Sequence, residues 1–342
     1  MKYNLFGNTG LVVSELCLGT MTFGGEGIWK AIGMLQQDEV NQLVKSAVDA
    51  GINFIDTANI YSYGESERLL GNAVRELGLD RNELVIASKV RGRMGEGQNN
   101  AGLSRFHIFQ SVEASLQRLQ MDHLDILYVH GVDPLTPVEQ TMRALNDLVA
   151  AGKVRYIAVC NWPAWMVMKA QGIARQNGWY TFEGLQYFYS VGGRDIEREI
   201  LPMAKDQNLA VMPWSPLAGG FFSGKYKRDE ATGQNRRDNF DFPPINKDKG
   251  YEIIDVLREI SEAHQTTVAQ VSLAWVRLQQ GVTSTIIGAK TVQQLLDNCA
   301  SVNLELSADE LSRINTASAL ASEYPGWMVD RQTGDRAINQ VK

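Results

Sequence analysis

The sequence predicts an α/β fold, a (β/α)8 TIM barrel with an N-terminal β-hairpin and long loops on its C-terminal rim. Two observations carry this. Eight short apolar runs, near residues 15–19, 52–55, 84–88, 124–129, 154–159, 182–186, 209–213 and 283–287, alternate with segments of helical spacing. Strands alternating with helices at this rate build a parallel sheet with crossover helices, and eight repeats close naturally into a barrel. Six of the runs also end on groups suited to chemistry: Asp56, Lys89, His130, Cys160-Asn161, Gln186 and Trp214-Ser215. Functional groups released at the C-terminal ends of parallel strands mark a barrel with its site on one rim. A doubly wound open sheet is the competing architecture. It would usually show GxGxxG directly after its first strand, and this chain has none there.

Taken in order, the chain opens on two short β-prone runs around Gly7-Asn8-Thr9-Gly10, which reads as a hairpin over residues 1–14. The first barrel run leads into residues 20–37, which carry Phe23, Gly24, Gly25 and Trp29. Val40, Leu43, Val44 and Ala47 then recur at i, i+3, i+4 spacing, the apolar face of a helix. The next runs deliver Asp56 and Lys89, and residues 90–106 that follow are rich in Gly, Arg and Asn. Ile108, Val112, Ala114, Leu116 and Leu119 mark a second helix face before the strand that ends at His130. Three further strands end at Asn161, Gln186 and Trp214, and residues 216–248 form a third long interruption. Loops of this length inside a compact domain usually serve as lids or binding loops. All three follow strands, so all three belong to one rim. The tail, 319–342, is polar except for Tyr324-Pro325-Gly326-Trp327-Met328, an aromatic patch placed to fold over the same rim. No repeat or interdomain linker is visible, so residues 1–342 read as a single domain.

The bulk numbers narrow the function. A hydrophobic content of 44% and a charged content of 21% are those of a soluble globular protein. The net charge of −6 argues against broad binding to nucleic acid. Cys17, Cys160 and Cys299 stand far apart, which points to a reducing compartment without disulfides. His107, His123, His130 and His264 have no metal-ligand spacing, so no metal is expected. No signal segment or long apolar stretch occurs, so a cytoplasmic protein with no membrane partner is expected.

Asp56, Tyr61, Lys89 and His130 form the central constellation. An ammonium beside a phenol stabilises the tyrosinate, so Lys89 is expected to lower the pKa of Tyr61 until it can give up its proton near neutral pH. Asp56 would hold Lys89, and His130 would orient a carbonyl oxygen. The plainer alternative is a rim ion pair of Asp56 and Lys89 with Tyr61 merely packed beside it.

The segment Gly51-Ile52-Asn53-Phe54-Ile55-Asp56-Thr57-Ala58-Asn59-Ile60-Tyr61, with Gly64-Glu65-Ser66-Glu67 after it, resembles the signature of the aldo-keto reductases. Ile86-Ala87-Ser88-Lys89, Ser111–Leu119, Gly152–Ile157 and Pro213-Trp214-Ser215-Pro216-Leu217 extend the resemblance from Leu5 to about Asn315. It is a bacterial-type pattern with some likeness to the potassium-channel β-subunit branch. The resemblance implies a (β/α)8 barrel that reduces an aldehyde or ketone, reversibly, with NADPH (NADP+), and a catalytic tetrad of Asp56, Tyr61, Lys89 and His130.

The same resemblance implies the cofactor residues. Gly19, Thr20 and Met21 match first-strand contacts, and Asp56 lies near the nicotinamide ribose. Asn161 and Gln186 match groups that hold the carboxamide, with Cys160 where members usually have serine. Trp214 matches the aromatic that stacks on the nicotinamide. Ser215, Pro216, Leu217, Ala218, Gly219 and Lys225 match the pyrophosphate segment. Ile287, Gly288, Ala289, Lys290, Gln294, Asp297 and Asn298 match the adenosine-phosphate segment. Gln294 stands where many members have an arginine, as it does in the channel branch, which leaves Lys290 to meet the 2′-phosphate. Phe23, Trp29, Arg91, Trp162 and Trp327, with Tyr61 and His130, are the expected substrate pocket. The partner is then a small carbonyl or alcohol, and the protein a monomer or weak homo-oligomer. Two rivals stand beside this: an NADP(H)-binding redox-sensing regulatory subunit with slow turnover, and a barrel isomerase or lyase acting on sugar phosphates.

Overall fold

The computed structural model describes residues 1–228, 237 and 240–335. A two-stranded antiparallel hairpin, β1 (Tyr3–Leu5) and β2 (Val12–Ser14), precedes eight parallel strands. These are β3 (Leu16–Gly19), β4 (Phe54–Asp56), β5 (Val85–Val90), β6 (Leu124–Val129), β7 (Val154–Cys160), β8 (Phe182–Phe188), β9 (Ala210–Trp214) and β10 (Thr285–Ile287). Their order is β10-β3-β4-β5-β6-β7-β8-β9. The end strands meet where the Thr283 and Ser284 amides donate to the Val211 carbonyl, which nearly closes the ring. The architecture is a (β/α)8 barrel, and the open-sheet alternative is excluded.

The first five helices alternate with the strands: α1 (Gln37–Asp49), α2 (Glu65–Glu76), α3 (Arg105–Leu119), α4 (Val138–Ala150) and α5 (Ala164–Asn177). After them come α6 (Ile200–Gln207), α7 (Lys247–Ala263), α8 (Val268–Arg277), α9 (Val292–Ala300), α10 (Ala308–Ala317) and α11 (Gly326–Asp335). α1 begins with a capping box between Gln36 and Glu39 and buries Val40, Leu43, Val44 and Ala47, the stripe read from its spacing. Ser104 caps α3 by accepting from the His107 amide.

Two apolar layers result. One lies between strands and helices, and the other fills the barrel with Phe6, Val13, Cys17, Phe54, Val85, Ala87, Ile126, Tyr128, Ala158, Cys160 and Met212 among others. Phe6, from the turn of the hairpin, stands edge-on to Phe54 at 6.3 Å and plugs the end of the barrel opposite the rim. Gly184 makes room for it, because a Cβ there would fall 2.5 Å from the Phe6 ring.

Behind Lys89, the buried Glu67 ties three elements together. It accepts from Ser88 Oγ at 2.5 Å on β5 and from Arg118 Nε at 2.6 Å on α3. The guanidinium lies so close that a Cβ on Gly64, whose φ is +98°, would meet Arg118 Cδ at 2.7 Å. Glu67→Ala leaves a largely buried guanidinium without its carboxylate, and breaking such a pair costs about 3–5 kcal/mol. Urea denaturation should show that loss, and a change below about 1 kcal/mol would show the pair to be peripheral.

The tail departs from expectation. Arg194, after β8, pairs with Glu197 and donates to Ser318 at 2.7 Å, which anchors the end of α10. Beyond it α11 is largely exposed, and Trp327, 45% exposed, rests only against Tyr324 at 5.9 Å among the aromatic contacts. Neither ring reaches the rim cavity. Residues 336–342 of the expected tail, and 229–236 and 238–239 of the third loop, lie outside the described residues. Among the described residues, no helix is long and apolar enough to cross a membrane, and no cluster of His, Cys, Asp and Glu has the makings of a metal site.

Candidate active site

The C-terminal ends of β4, β5 and β6 bring Asp56, Lys89 and His130 to one side of the rim, and the turn after β4 adds Tyr61. That turn is strained. Ser62 and Tyr63 take φ of +47° and +53°, uncommon for residues with a Cβ, and Ser62 holds the conformation by bonding to the loop before it. Its hydroxyl accepts from the Gly25 amide and donates to the Phe23 carbonyl, at 2.9 and 3.0 Å.

Lys89 is almost fully buried, and its three donors are spent on Asp56 Oδ2, the Thr57 carbonyl at 2.8 Å and the Tyr61 hydroxyl at 3.2 Å. Asp56 Oδ1 accepts from Gln186 Nε2 at 2.8 Å. Burial works against the Lys89 charge, but Asp56, with Tyr61 and Cys160, outweighs it and holds the ammonium above its usual value. Burial lifts Asp56 above the ordinary carboxylate value, against the pull of Lys89 and Gln186.

Tyr61 corrects the sequence-based expectation. Burial pushes its hydroxyl up to about 12, and the opposing pull of Lys89 does not overcome it. The phenol therefore keeps its proton at neutral pH, which suits a donor rather than a base. His130, its ring 5.9 Å from that of Tyr61, is held well below its usual value by burial and by the charges of Lys89 and Arg91. It stands as a neutral imidazole.

Both rings open onto a cavity of about 750 Å³ that runs along the rim to the start of α9. Its walls carry Gly19, Thr20, Met21, Asp56, Asn161, Gln186, Trp214, Ser215, Pro216, Leu217, Gly219 and Lys225. Ile287, Gly288, Ala289, Lys290, Gln294, Asp297 and Asn298 line its far end, and Trp29 closes over Tyr61 at 5.4 Å between ring centres. A Cβ on Gly288 would meet only the Gly19 carbonyl oxygen, at 4.0 Å, so the space beside it is open.

A family model described as Aldo/keto reductase family matches residues 15–319. This chain belongs to the aldo/keto reductase family. The aldo/keto reductase is 37% identical to norsolorinic acid reductase of Emericella nidulans, over 92% of this chain and 81% of that one. It is 33% identical to versiconal hemiacetal acetate reductase of Aspergillus parasiticus, over 95% and 99% of the two chains. An uncharacterized oxidoreductase of Bacillus subtilis is 35% identical over 92% of this chain and 95% of its own. The protein is thus an enzyme, an oxidoreductase of this family.

Several expected residues of this reductase stand elsewhere. Phe23 is fully buried in the strand–helix layer, bridged to Leu35. Trp162 is buried in the same layer, edge-on to Phe182 at 5.8 Å. Arg91 turns away and donates to the Val132 carbonyl at 3.1 Å. None of the three, nor Trp327, lines the cavity. Cys160 faces the barrel interior below the site, and Ala218 is buried with its carbonyl bonded to Arg237 at 2.7 Å, so neither side chain reaches the cavity. Asn161, Ser215 and Ala218 have φ of +59°, +51° and +46°, a concentration of backbone strain at the strand ends that carry the site.

The sequence reading missed part of the wall. Phe240 and Phe242 line the cavity, and Phe242 lies parallel to Trp214 at 5.7 Å. Thr22, Ile32 and Thr267 line it as well. The signal for the two phenylalanines was the aromatic-proline stretch Phe240-Asp241-Phe242-Pro243-Pro244 at the end of the third loop, an apolar cluster in an otherwise charged segment.

Proposed function

We propose that this aldo/keto reductase reduces an aldehyde or ketone to the alcohol with NADPH, reversibly, and that Tyr61 is the proton donor. The observation that carries the reading is the Tyr61 hydroxyl on the cavity wall, 3.2 Å from the buried Lys89 ammonium, where burial favours the protonated phenol. Tyr61 and the neutral His130 would converge on the carbonyl oxygen. The Tyr61 hydroxyl gives it a proton, and His130 donates a hydrogen bond that orients it. As charge develops on the Tyr61 oxygen, Lys89 stabilises it, and Asp56 keeps Lys89 charged and in place. The names of two relatives, both reductases, agree with this direction.

The residues present fit NADPH. The cavity lies within the roughly 300–1,000 Å³ span of small-molecule sites, and it is elongated toward a helix N-terminus, where anions are favoured. When bound, NADPH supplies the hydride. Asn161, Gln186 and Trp214 would hold its nicotinamide, Ser215, Leu217, Gly219 and Lys225 its pyrophosphate, and Lys290, Gln294, Asp297 and Asn298 its adenosine phosphate. The Gln294 side chain already accepts from the Lys290 amide at 2.9 Å, and Asp297 accepts from Gln270 at 2.6 Å.

The test is direct. Purified protein should consume NADPH, followed by absorbance, in the presence of aldehydes such as 4-nitrobenzaldehyde. Absence of turnover across a panel of aldehydes and ketones would end the proposal. The cofactor choice is tested separately. An exposed ammonium contributes about 1 kcal/mol, less at high salt, against more for a bidentate guanidinium. NADPH should therefore be preferred over NADH by a modest ratio that shrinks as salt rises. Lys290→Ala should weaken NADPH binding and barely affect NADH, while Gln294→Arg should widen the preference. Equal losses for both cofactors in Lys290→Ala would show that this lysine does not read the phosphate.

A further inference from the structure

We propose that Tyr128, in the barrel interior beneath the site, is a positioning residue whose ring holds Lys89 in line with Tyr61 and keeps water from its lower side. The inference rests on the reading of Tyr61 as the proton donor. Lys89 and Tyr128 are register partners on β5 and β6, and Tyr128 lies two residues before His130, on the same face of its strand. The Lys89 Nζ stands 4.8 Å from the centre of the Tyr61 ring and 5.9 Å from that of Tyr128. The ammonium thus has an aromatic face on two sides, a favourable placement for a cation. With its three donors already committed to Asp56, Thr57 and Tyr61, it has no hydrogen left to offer a solvent molecule.

Tyr128 is fully buried, and among the described residues its hydroxyl finds no well-formed hydrogen bond, the Gln186 amide being its nearest polar neighbour. The function of the residue therefore lies in the ring and not in the hydroxyl. The groups facing it are Asp56 on β4, Lys89 on β5, Cys160 on β7, Cys17 on β3 and the Gln186 amide on β8. Burial holds the two thiols and the Tyr128 hydroxyl above their usual values, so they remain neutral and only the Asp56–Lys89 pair carries charge. Without the ring, water would enter beneath Lys89. It would offer the ammonium other partners and ease the desolvation that keeps Tyr61 protonated.

The test compares Tyr128→Leu, Tyr128→Met and Tyr128→Phe with Tyr61→Phe, using NADPH and 4-nitrobenzaldehyde. In Tyr128→Leu and Tyr128→Met, kcat should fall about tenfold or more while the NADPH dissociation constant stays within about twofold. The alkaline limb of their pH profiles should move down by about one unit, as desolvation of Tyr61 is relieved. Tyr128→Phe keeps the ring, so it should restore kcat to within about twofold and change Tm little, because the hydroxyl makes no well-formed hydrogen bond among the described residues. Tyr128→Met is close to the leucine variant in chemistry and larger, so it carries the test should Tyr128→Leu fail to fold. The inference is overturned if the leucine and methionine variants match wild type, or if Tyr128→Phe loses as much as they do. It is also overturned if kcat falls while the limb stays in place, since a packing defect alone would do that. Tyr61→Phe separates the two claims. If it retains wild-type turnover, the proton-donor reading fails. If it is inactive while Tyr128→Leu matches wild type, only the role of Tyr128 fails.

Discussion

Tyr61→Phe should cut kcat by about 10²–10⁴-fold, the usual worth of a placed general acid, and leave NADPH affinity near wild type. The substitution removes one oxygen from a ring that Trp29 and His130 already pack against, so the cavity wall keeps its shape. The wild-type pH profile for reduction is part of the same test. The Tyr61 hydroxyl is pushed up to about 12, and His130 is held well below its usual value, so neither changes charge near neutrality. Reduction by the wild-type protein should then be nearly flat between about pH 6.5 and pH 9, with loss only as Tyr61 titrates at higher pH. Retention of more than about a tenth of wild-type turnover in Tyr61→Phe, with chemistry shown to limit the rate, would remove Tyr61 from its role.

Lys89→Met should be nearly inactive and also less stable. The methionine fills most of the space but leaves the Asp56 carboxylate with one remaining side-chain donor, Gln186. Removing one member of a buried ion pair costs about 3–5 kcal/mol, part of which protonation of Asp56 would recover. The sign of that recovery is testable. Once Lys89 is gone, burial is opposed only by the Gln186 hydrogen bond among the described side chains, so the carboxyl pKa rises further. A raised carboxyl pKa favours the protonated native form, so the variant should gain stability relative to wild type as pH falls from about 7 toward 5. Urea midpoints of the two proteins across that range decide the matter: parallel curves would mean that Asp56 is not the group responding. Asp56→Asn, which removes the other charge, should leave Lys89 poorly held and lower kcat less than Lys89→Met does.

The strands were legible because a parallel barrel buries both faces of each strand, which turns them into near-continuous apolar runs. β5 from Val85 and β6 from Leu124 show this, with every residue but Asp125 buried. The meeting of Asp56, Lys89 and His130 on one side of the rim was legible because each polar group ends such an apolar run. Which way a loop aromatic faces was not legible. Trp162 comes two residues after β7, where a local turn decides whether the ring meets the cavity or the helix layer, and Phe182 on the neighbouring strand captures it. Phe242 joins the wall through a contact with Trp214, 28 residues earlier in the chain, and no local pattern encodes that. The titration of Tyr61 was misjudged for a related reason. Sequence shows which charges come near, but burial, here the larger influence, depends on the whole assembled core.

The hairpin plug takes on a different meaning in that light. Phe6 belongs to the same interior cluster as Tyr128 and Cys160, the layer on which the Lys89–Tyr61 pair rests. The cavity lies on the rim, so the dryness beneath it has to be secured from the other end. If Tyr61 is the proton donor, the hairpin would act as a gasket there, and a leak at Phe6 would change how readily Tyr61 parts with its proton. On the proposed reading, the acidity of Tyr61 would then depend partly on a stretch of chain about fifty residues before it, on the far side of the barrel.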